Sequence, residues 1–132
     1  MIAYYVLDAS ALMALLHEEP GSDKVANAVK NGAAISTVNL SEVASKLNEL
    51  GTPEALIQDA INVLRLTIVD FDTELAYKVG LLRPLTKRAG LSLGDRAYIA
   101  LAQHLNLPAL TTDRVWEDLL LEVTEVTVQL IR

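Results

Sequence analysis

The chain has 132 residues, a net charge of −6 and 52% hydrophobic residues, a size that suits one domain spanning residues 1–132. It contains no cysteine, which excludes disulfides, thiolate catalysis and zinc–sulfur sites. Its two scattered histidines, His17 and His104, exclude an imidazole metal cluster. Any bound metal is therefore expected to be held by oxygen, and the negative charge argues against a simple basic nucleic-acid-binding protein.

The amino-terminal segment does not have the pattern of a secretory signal. No Lys or Arg precedes its apolar run, and Asp8 interrupts that run after six residues. No apolar stretch approaches the ~18–20 residues that a membrane span requires. We therefore expect a soluble, cytoplasmic protein that does not contact a membrane.

Short apolar runs alternate with amphipathic segments along the first half of the chain. Residues 2–7 form a continuous apolar run, which predicts a strand buried on both faces. Residues 9–16 and 22–30 predict two helices. Residues 33–38 predict a second strand, and residues 39–50 predict a third helix.

The second half of the chain continues this alternation. Pro53 suits the first position of a helix that runs to about residue 66. The remaining predicted elements are a strand at 67–71, a helix at 72–88, a helix at 93–105, and strands at 109–112 and 126–131. Short apolar strands separated by helices imply right-handed crossovers and a mostly parallel sheet. The sequence therefore predicts an α/β fold of three layers, α/β/α, with a roughly five-stranded sheet.

Two aspartates come at the ends of predicted strands. Asp8 directly follows the first strand, and Asp113, in PALTTDRVW, directly follows the fourth. Parallel strands that each end in aspartate place both carboxylates at the edge where open α/β sheets bind ligands. Either aspartate alone is more often structural, because aspartate commonly caps helices. The occurrence of both favours a functional role.

Two further acids have good structural explanations. Glu42, in STVNLSEVASKLNEL, lies away from the apolar stripe of its predicted helix, and periodicity alone makes it a solvated surface acid. Ser92 and Asp95 fit a helix capping box. However, the following AYIALA is apolar nearly all round and must be buried. The start of that helix, where Gly94 allows close approach, is therefore also a good location for a site acid.

The segments YVLDASALMALL, ISTVNLSEVASKL, GLSLGDRAYIALA and LTTDRVW, in this order, closely resemble the PIN domain. The resemblance is specifically to the small VapC-type ribonuclease toxins of toxin–antitoxin pairs, and it spans the whole chain. It places the family's acidic quartet on Asp8, Glu42, Asp95 and Asp113. Its hydroxyl two residues before the last acid falls on Thr111, and the small hydroxyl residue after the first acid is Ser10. The resemblance also implies the strand order 3-2-1-4-5.

Four crowded carboxylates repel one another unless a cation sits between them. Without cysteine or clustered histidine, that cation is expected to be Mg²⁺ or Mn²⁺. The hypothesis is a metal-dependent endoribonuclease in which Asp8, Asp95 and Asp113 bind the metal directly or through a water molecule. Glu42 would bind a second ion or orient the attacking water. Thr111 would position a carboxylate or a water, although a strand-end hydroxyl without function explains it equally well.

The negative net charge argues less strongly against RNA binding once the four acids of the proposed site are set aside. Of 17 acidic residues 13 then remain against 11 basic residues, a net charge of −2. Five basic residues on or near the motif segments are candidates for contacts with RNA phosphates, or are merely solvating: Lys46, Lys87, Arg88, Arg96 and Arg114.

The helices predicted within residues 10–16 and 39–66 carry more apolar residues than the core of a small domain needs. Leu12, Leu56 and Val63 are expected to face outward, which predicts a homodimer. The resemblance adds an antitoxin segment laid along these helices. The alternative is that both helices simply cover the sheet.

Three other functions are alternatives to the toxin. One is an RNA-processing PIN nuclease without an antitoxin, and another is a non-catalytic PIN scaffold that binds proteins. The third, a phosphatase of the haloacid dehalogenase type, requires a second aspartate two residues after the first. This sequence has Ser10 there, which counts against that chemistry.

Overall fold

A computed structural model describes residues 2–87, 90–112 and 126–132. Within these residues the chain forms five strands and six helices. The strands are β1 (Tyr5–Leu7), β2 (Ala33–Ser36), β3 (Thr67–Val69), β4 (Ala109–Thr111) and β5 (Val128–Leu130). The helices are α1 (Ala9–Leu16), α2 (Ser22–Asn31), α3 (Thr37–Glu49), α4 (Glu54–Asn62), α5 (Thr73–Thr86) and α6 (Leu93–Leu105).

The five strands form one sheet with the order β3-β2-β1-β4-β5, in which every neighbouring pair is parallel. Val6 in the central strand β1 is paired with Ala34 on one side and Ala109 on the other. The strand order that the family resemblance implied is confirmed. Because β1 and β4 are parallel neighbours, Asp8 and Thr112, which directly follow them, lie at the same edge of the sheet.

Helices cover both faces of the sheet. Successive strand residues point to opposite faces, so Val6 packs with α5 and α6 whereas Leu7 packs with α1, α2, α3 and α4. Two clusters of buried side chains result, one on each side of the strands. The predicted three-layer α/β/α architecture is confirmed.

Helix α6 is buried along most of its length, as the apolar AYIALA segment predicted. Its six residues from Ala97 to Ala102 are each at most 2% exposed. This burial fixes the start of α6, where Ser92 and Asp95 form the predicted capping box. The position of Asp95 relative to the sheet is therefore set by the core.

Several element boundaries differ from those predicted, and three of the differences have a local cause. β1 begins at Tyr5 rather than at residue 2, and Ile2 is 69% exposed. β2 ends at Ser36 because the Ser36 hydroxyl accepts a hydrogen bond from the Val38 amide and caps α3. α4 ends at Asn62 rather than near residue 66, before a turn in which Arg65 has a φ of 51°.

The prediction that Leu12 faces outward is wrong. Leu12 is fully buried beneath α1, in the cluster that covers one face of the sheet. Leu56 and Val63 do face solvent, at 56% and 75% exposure. None of the helices in the described ranges has the length and hydrophobicity needed to cross a membrane.

Candidate active site

Asp8 lies where β1 passes into α1, and three donors hold its carboxylate. Oδ1 accepts hydrogen bonds from the Ser10 hydroxyl at 2.7 Å and from the Ala11 amide at 2.8 Å. Oδ2 accepts one from the hydroxyl of Thr111, the last residue of β4, at 2.6 Å. Asp8 therefore caps α1, as its structural interpretation predicted, and is also tied to the neighbouring strand.

The surroundings of Asp8 destabilise the ionised form of its carboxyl group. Burial raises the pKa of this carboxyl above its usual value, and the nearby charge of Asp95 adds to the increase. The hydrogen bonds from Thr111, Ser10 and Ala11 lower the pKa but do not cancel the effect of burial. A positive charge placed beside Asp8 would offset this cost.

Helix α3 contributes three polar residues to the same region. Asn39, Glu42 and Lys46 follow one another at spacings of three and four, which places them on one face of the helix. The Asn39 Nδ2 donates to Glu42 Oε1 at 2.8 Å and to the Gly94 carbonyl at 3.0 Å. Glu42 is half-buried rather than fully solvated, because the start of α6 lies over it.

The start of α6 accommodates Glu42 because residue 94 has no side chain. A Cβ atom at Gly94 would lie 2.5 Å from Glu42 Oε1, far inside contact distance. The next residue, Asp95, accepts a hydrogen bond from the Ser92 amide at 3.0 Å, and the Ser92 hydroxyl accepts one from the Asp95 amide at 3.2 Å. The capping interpretation of Asp95 is thus confirmed, and the same residue also reaches the region beside Glu42.

These elements enclose one small cleft of about 130 Å³, lined by Asp8, Ala9, Ser10, Asn39, Glu42, Lys46 and Asp95. Three of the four predicted acids therefore line the same cleft. The fourth, Asp113, lies outside the described residues. Within the described ranges, no three acidic or histidine side chains are close enough together to form a ready-made metal cluster.

The structure describes three of the five basic residues that were predicted to contact RNA. Lys46 lines the cleft and Lys87 is exposed. Arg96 Nη1 donates to the Val79 carbonyl of α5 at 3.3 Å, and the Arg96 Nε is buried. Arg88 and Arg114 lie outside the described residues.

Asn39 is a cleft residue that the sequence interpretation missed. It is only 2% exposed, and its Oδ1 has no hydrogen-bond partner within the part of the chain that the structure describes. A polar residue three positions before an acid, on the inward side of an amphipathic helix, was the available signal. That signal is weak, because asparagine is also common near helix starts.

A family model for the PIN domain matches residues 5–119 of the sequence. The chain belongs to the PIN-domain family. The matched region of this PIN domain includes the positions of all four predicted acids. A comparison with curated proteins finds no match.

Solved structures with the same PIN-domain fold share little sequence with this chain. A chain of DNA-bound VapBC from Salmonella typhimurium has a TM-score of 0.75 at 17% identity, covering 99% of this chain and 100% of that one. A chain of VapBC2 from Rickettsia felis, bound to a promoter DNA fragment, has a TM-score of 0.71 at 19% identity, covering 96% and 98%. A chain of a toxin–antitoxin complex from Klebsiella pneumoniae has a TM-score of 0.67 at 19% identity, covering 93% and 95%. At these identities the likeness establishes the fold.

Proposed function

We propose that this PIN-domain protein is a metal-dependent endoribonuclease toxin of the VapC type. The observation that carries the proposal is the convergence of Asp8, Glu42 and Asp95 on one cleft. These acids come from three elements far apart in sequence, and packing them together costs free energy through charge repulsion. Such a cost is typical of catalytic sites. Asp113, which follows β4 in the sequence, is proposed as the fourth acid.

The side chains of the cleft fit a hard divalent cation. Their potential ligands are carboxylate and amide oxygens, which Mg²⁺ and Mn²⁺ prefer. The buried Asn39 Oδ1 adds an oxygen that has no partner within the described ranges. We propose Asp8, Asp95 and Asp113 as the ligands. When bound, such an ion lowers the pKa of water and neutralises charge on a phosphate oxygen.

The protein's own residues would orient the reacting groups. The hydroxyls of Ser10 and Thr111 hold the Asp8 carboxylate in one orientation. Glu42, held by Asn39, would orient the attacking water or bind a second ion. Lys46 lines the cleft and would contact an RNA phosphate. Contacts from the other basic residues remain predictions: Lys87, Arg88, Arg96 and Arg114.

A water nucleophile determines the products of the proposed reaction. Water attacks phosphorus and the 3′-oxygen leaves, so the products should carry 5′-phosphates and 3′-hydroxyls. The 2′-hydroxyl of the RNA takes no part in this chemistry. A 2′,3′-cyclic phosphate would contradict it.

The proposal is tested with purified protein and single-stranded or hairpin RNA. Cleavage should require Mg²⁺ or Mn²⁺, should stop in excess EDTA, and should be lost in Asp8→Asn. The matched control is Asp59→Asn, which makes the same change at an exposed position of α4. Undiminished cleavage in EDTA, or equal activity of the two variants, would refute the proposal.

An antitoxin partner is the second part of the proposal. Its support is the likeness of the fold to VapBC and toxin–antitoxin chains, together with the exposed Leu56 and Val63 on and beside α4. We propose a homodimer that acts in the cytoplasm and binds an antitoxin segment along its apolar helices. Co-expression with the product of the adjacent upstream gene should increase solubility and inhibit RNA cleavage. No change in either property would contradict this part.

A further inference from the structure

We propose that Asn39 is a positioning residue, which fixes the Glu42 carboxylate through Nδ2 and holds a water molecule of the cleft through Oδ1. The inference rests on the proposed function, since it concerns the same cleft. Asn39 does not belong to the acidic quartet, and its role would be to act through Glu42. The orientation of its amide, its burial and the element that it contacts support this role.

The surroundings determine the orientation of the Asn39 amide. One end of the amide faces two acceptors, Glu42 Oε1 at 2.8 Å and the Gly94 carbonyl at 3.0 Å. Only the nitrogen can occupy this end, because the oxygen would face two other oxygens. The Asn39 Oδ1 must therefore point the other way.

That oxygen is a buried acceptor. Asn39 is 2% exposed and lines the cleft, and its Oδ1 has no hydrogen-bond partner among residues 2–87, 90–112 and 126–132. Leaving a buried acceptor unpaired is costly, so such atoms are usually satisfied by water or by a ligand. A cleft of about 130 Å³ has room for a few water molecules.

The two ends of the Asn39 amide, Nδ2 and Oδ1, act on the same part of the cleft. Nδ2 links Glu42 on α3 to the first turn of α6, which carries Asp95. Asn39 therefore keeps two acids from different helices in a fixed relation. A water held at Oδ1 would lie beside these acids, where the proposed reaction needs one.

The first test measures Mn²⁺ binding by calorimetry, which does not depend on catalysis. Asn39→Leu keeps similar volume but removes both the donor and the acceptor. Asn39 contacts Glu42 and the first turn of α6, which carries the proposed ligand Asp95. Because such outer contacts contribute about 10–100-fold to metal affinity, Asn39→Leu should weaken Mn²⁺ binding by about that factor. The control is Asn48→Leu on the same helix, where the Asn48 amide is exposed and donates to the Thr52 carbonyl. Equal affinity of the two variants would overturn the proposal.

A double-mutant cycle separates positioning from a general structural role. If Asn39 acts through Glu42, Asn39→Leu should have little further effect on Mn²⁺ affinity in a Glu42→Gln background. In RNA cleavage, Asn39→Leu should lower kcat tenfold or more while KM for RNA stays within about twofold. Additive losses in the cycle would overturn the proposal.

A second variant keeps the inference testable if Asn39→Leu does not fold or if the wild type binds no Mn²⁺. Asn39→Asp has the same shape but directs an oxygen, instead of a donor, at Glu42 Oε1. Without metal its thermal midpoint should fall several degrees below that of the control Asn48→Asp. Equal midpoints would overturn the inference. A wild type that binds Mn²⁺ without cleaving RNA would refute the proposed function and leave this test of Asn39 standing.

Discussion

Replacing Gly94 with alanine should impair RNA cleavage without destabilising the protein. The new Cβ would lie 2.5 Å from Glu42 Oε1 and 2.6 Å from Glu42 Cδ, whereas ordinary contacts begin near 3.4 Å. The Glu42 carboxylate must therefore retreat by about 1 Å, the difference between these distances. This movement also weakens its 2.8 Å hydrogen bond from the Asn39 amide.

The effects on stability and on rate should differ in sign as well as in size. Alanine is favoured over glycine in a helix interior by about 0.5–1 kcal/mol, which is an upper limit for Gly94 in the first turn of α6. Glu42 can rotate away at small cost. The free energy of unfolding should thus stay equal or rise by up to about 1 kcal/mol. A catalytic group misplaced by about 1 Å can lower the rate about 100-fold, which corresponds to about 2.7 kcal/mol in activation free energy.

The assay compares initial rates of RNA cleavage at saturating metal with thermal melting of the same samples. Gly80→Ala is the matched control, because a Cβ at Gly80 in α5 would meet nothing within 4 Å. Gly80→Ala should gain similar stability and keep wild-type activity. A Gly94→Ala variant that keeps the wild-type kcat would refute the role assigned to the Glu42 position. Equal losses of activity in both variants would also refute it.

Three further predictions concern Asp8 and the exposed apolar residues. Because burial raises the pKa of Asp8, its ionised form destabilises the metal-free fold at neutral pH, and this penalty disappears as the pH falls through the raised pKa. The thermal midpoint of the Asp8→Asn variant should therefore lie above that of the wild type near pH 7, and this difference should disappear by about pH 4. A midpoint below that of the wild type at every pH would contradict this. Thr111→Val removes the 2.6 Å hydrogen bond to Asp8 and should lower the free energy of unfolding of the metal-free protein by about 1–3 kcal/mol. An unchanged denaturant midpoint would contradict this prediction. Leu56→Glu should shift the protein from dimer to monomer in sedimentation at tens of micromolar, whereas Tyr77→Glu, on the exposed face of α5, should not.

The alternation of strands and helices could be predicted from the sequence, because each element is defined by a local pattern. Short apolar runs identified the strands, and the all-round apolar AYIALA segment identified a buried helix. The capping box of Ser92 and Asp95 was visible for the same reason, since its two residues are only three positions apart. Element boundaries were predicted less accurately, because side-chain caps such as Ser36 shift them by one or two residues.

What only the tertiary structure decided is the contact between elements that are distant in sequence. Periodicity placed Glu42 on the polar side of α3, but it could not show that the start of α6 lies over that side. It also suggested that Leu12 faces outward, whereas Leu12 lies on the inner face of α1 and is buried in the core. Asn39 pairs with the carbonyl of Gly94, 55 positions away. The sequence alone determined which residues could form a site, whereas packing of α3 against α6 determined which side chains meet in the cleft. The reason is that helical periodicity defines the faces of one helix but not the element that covers each face.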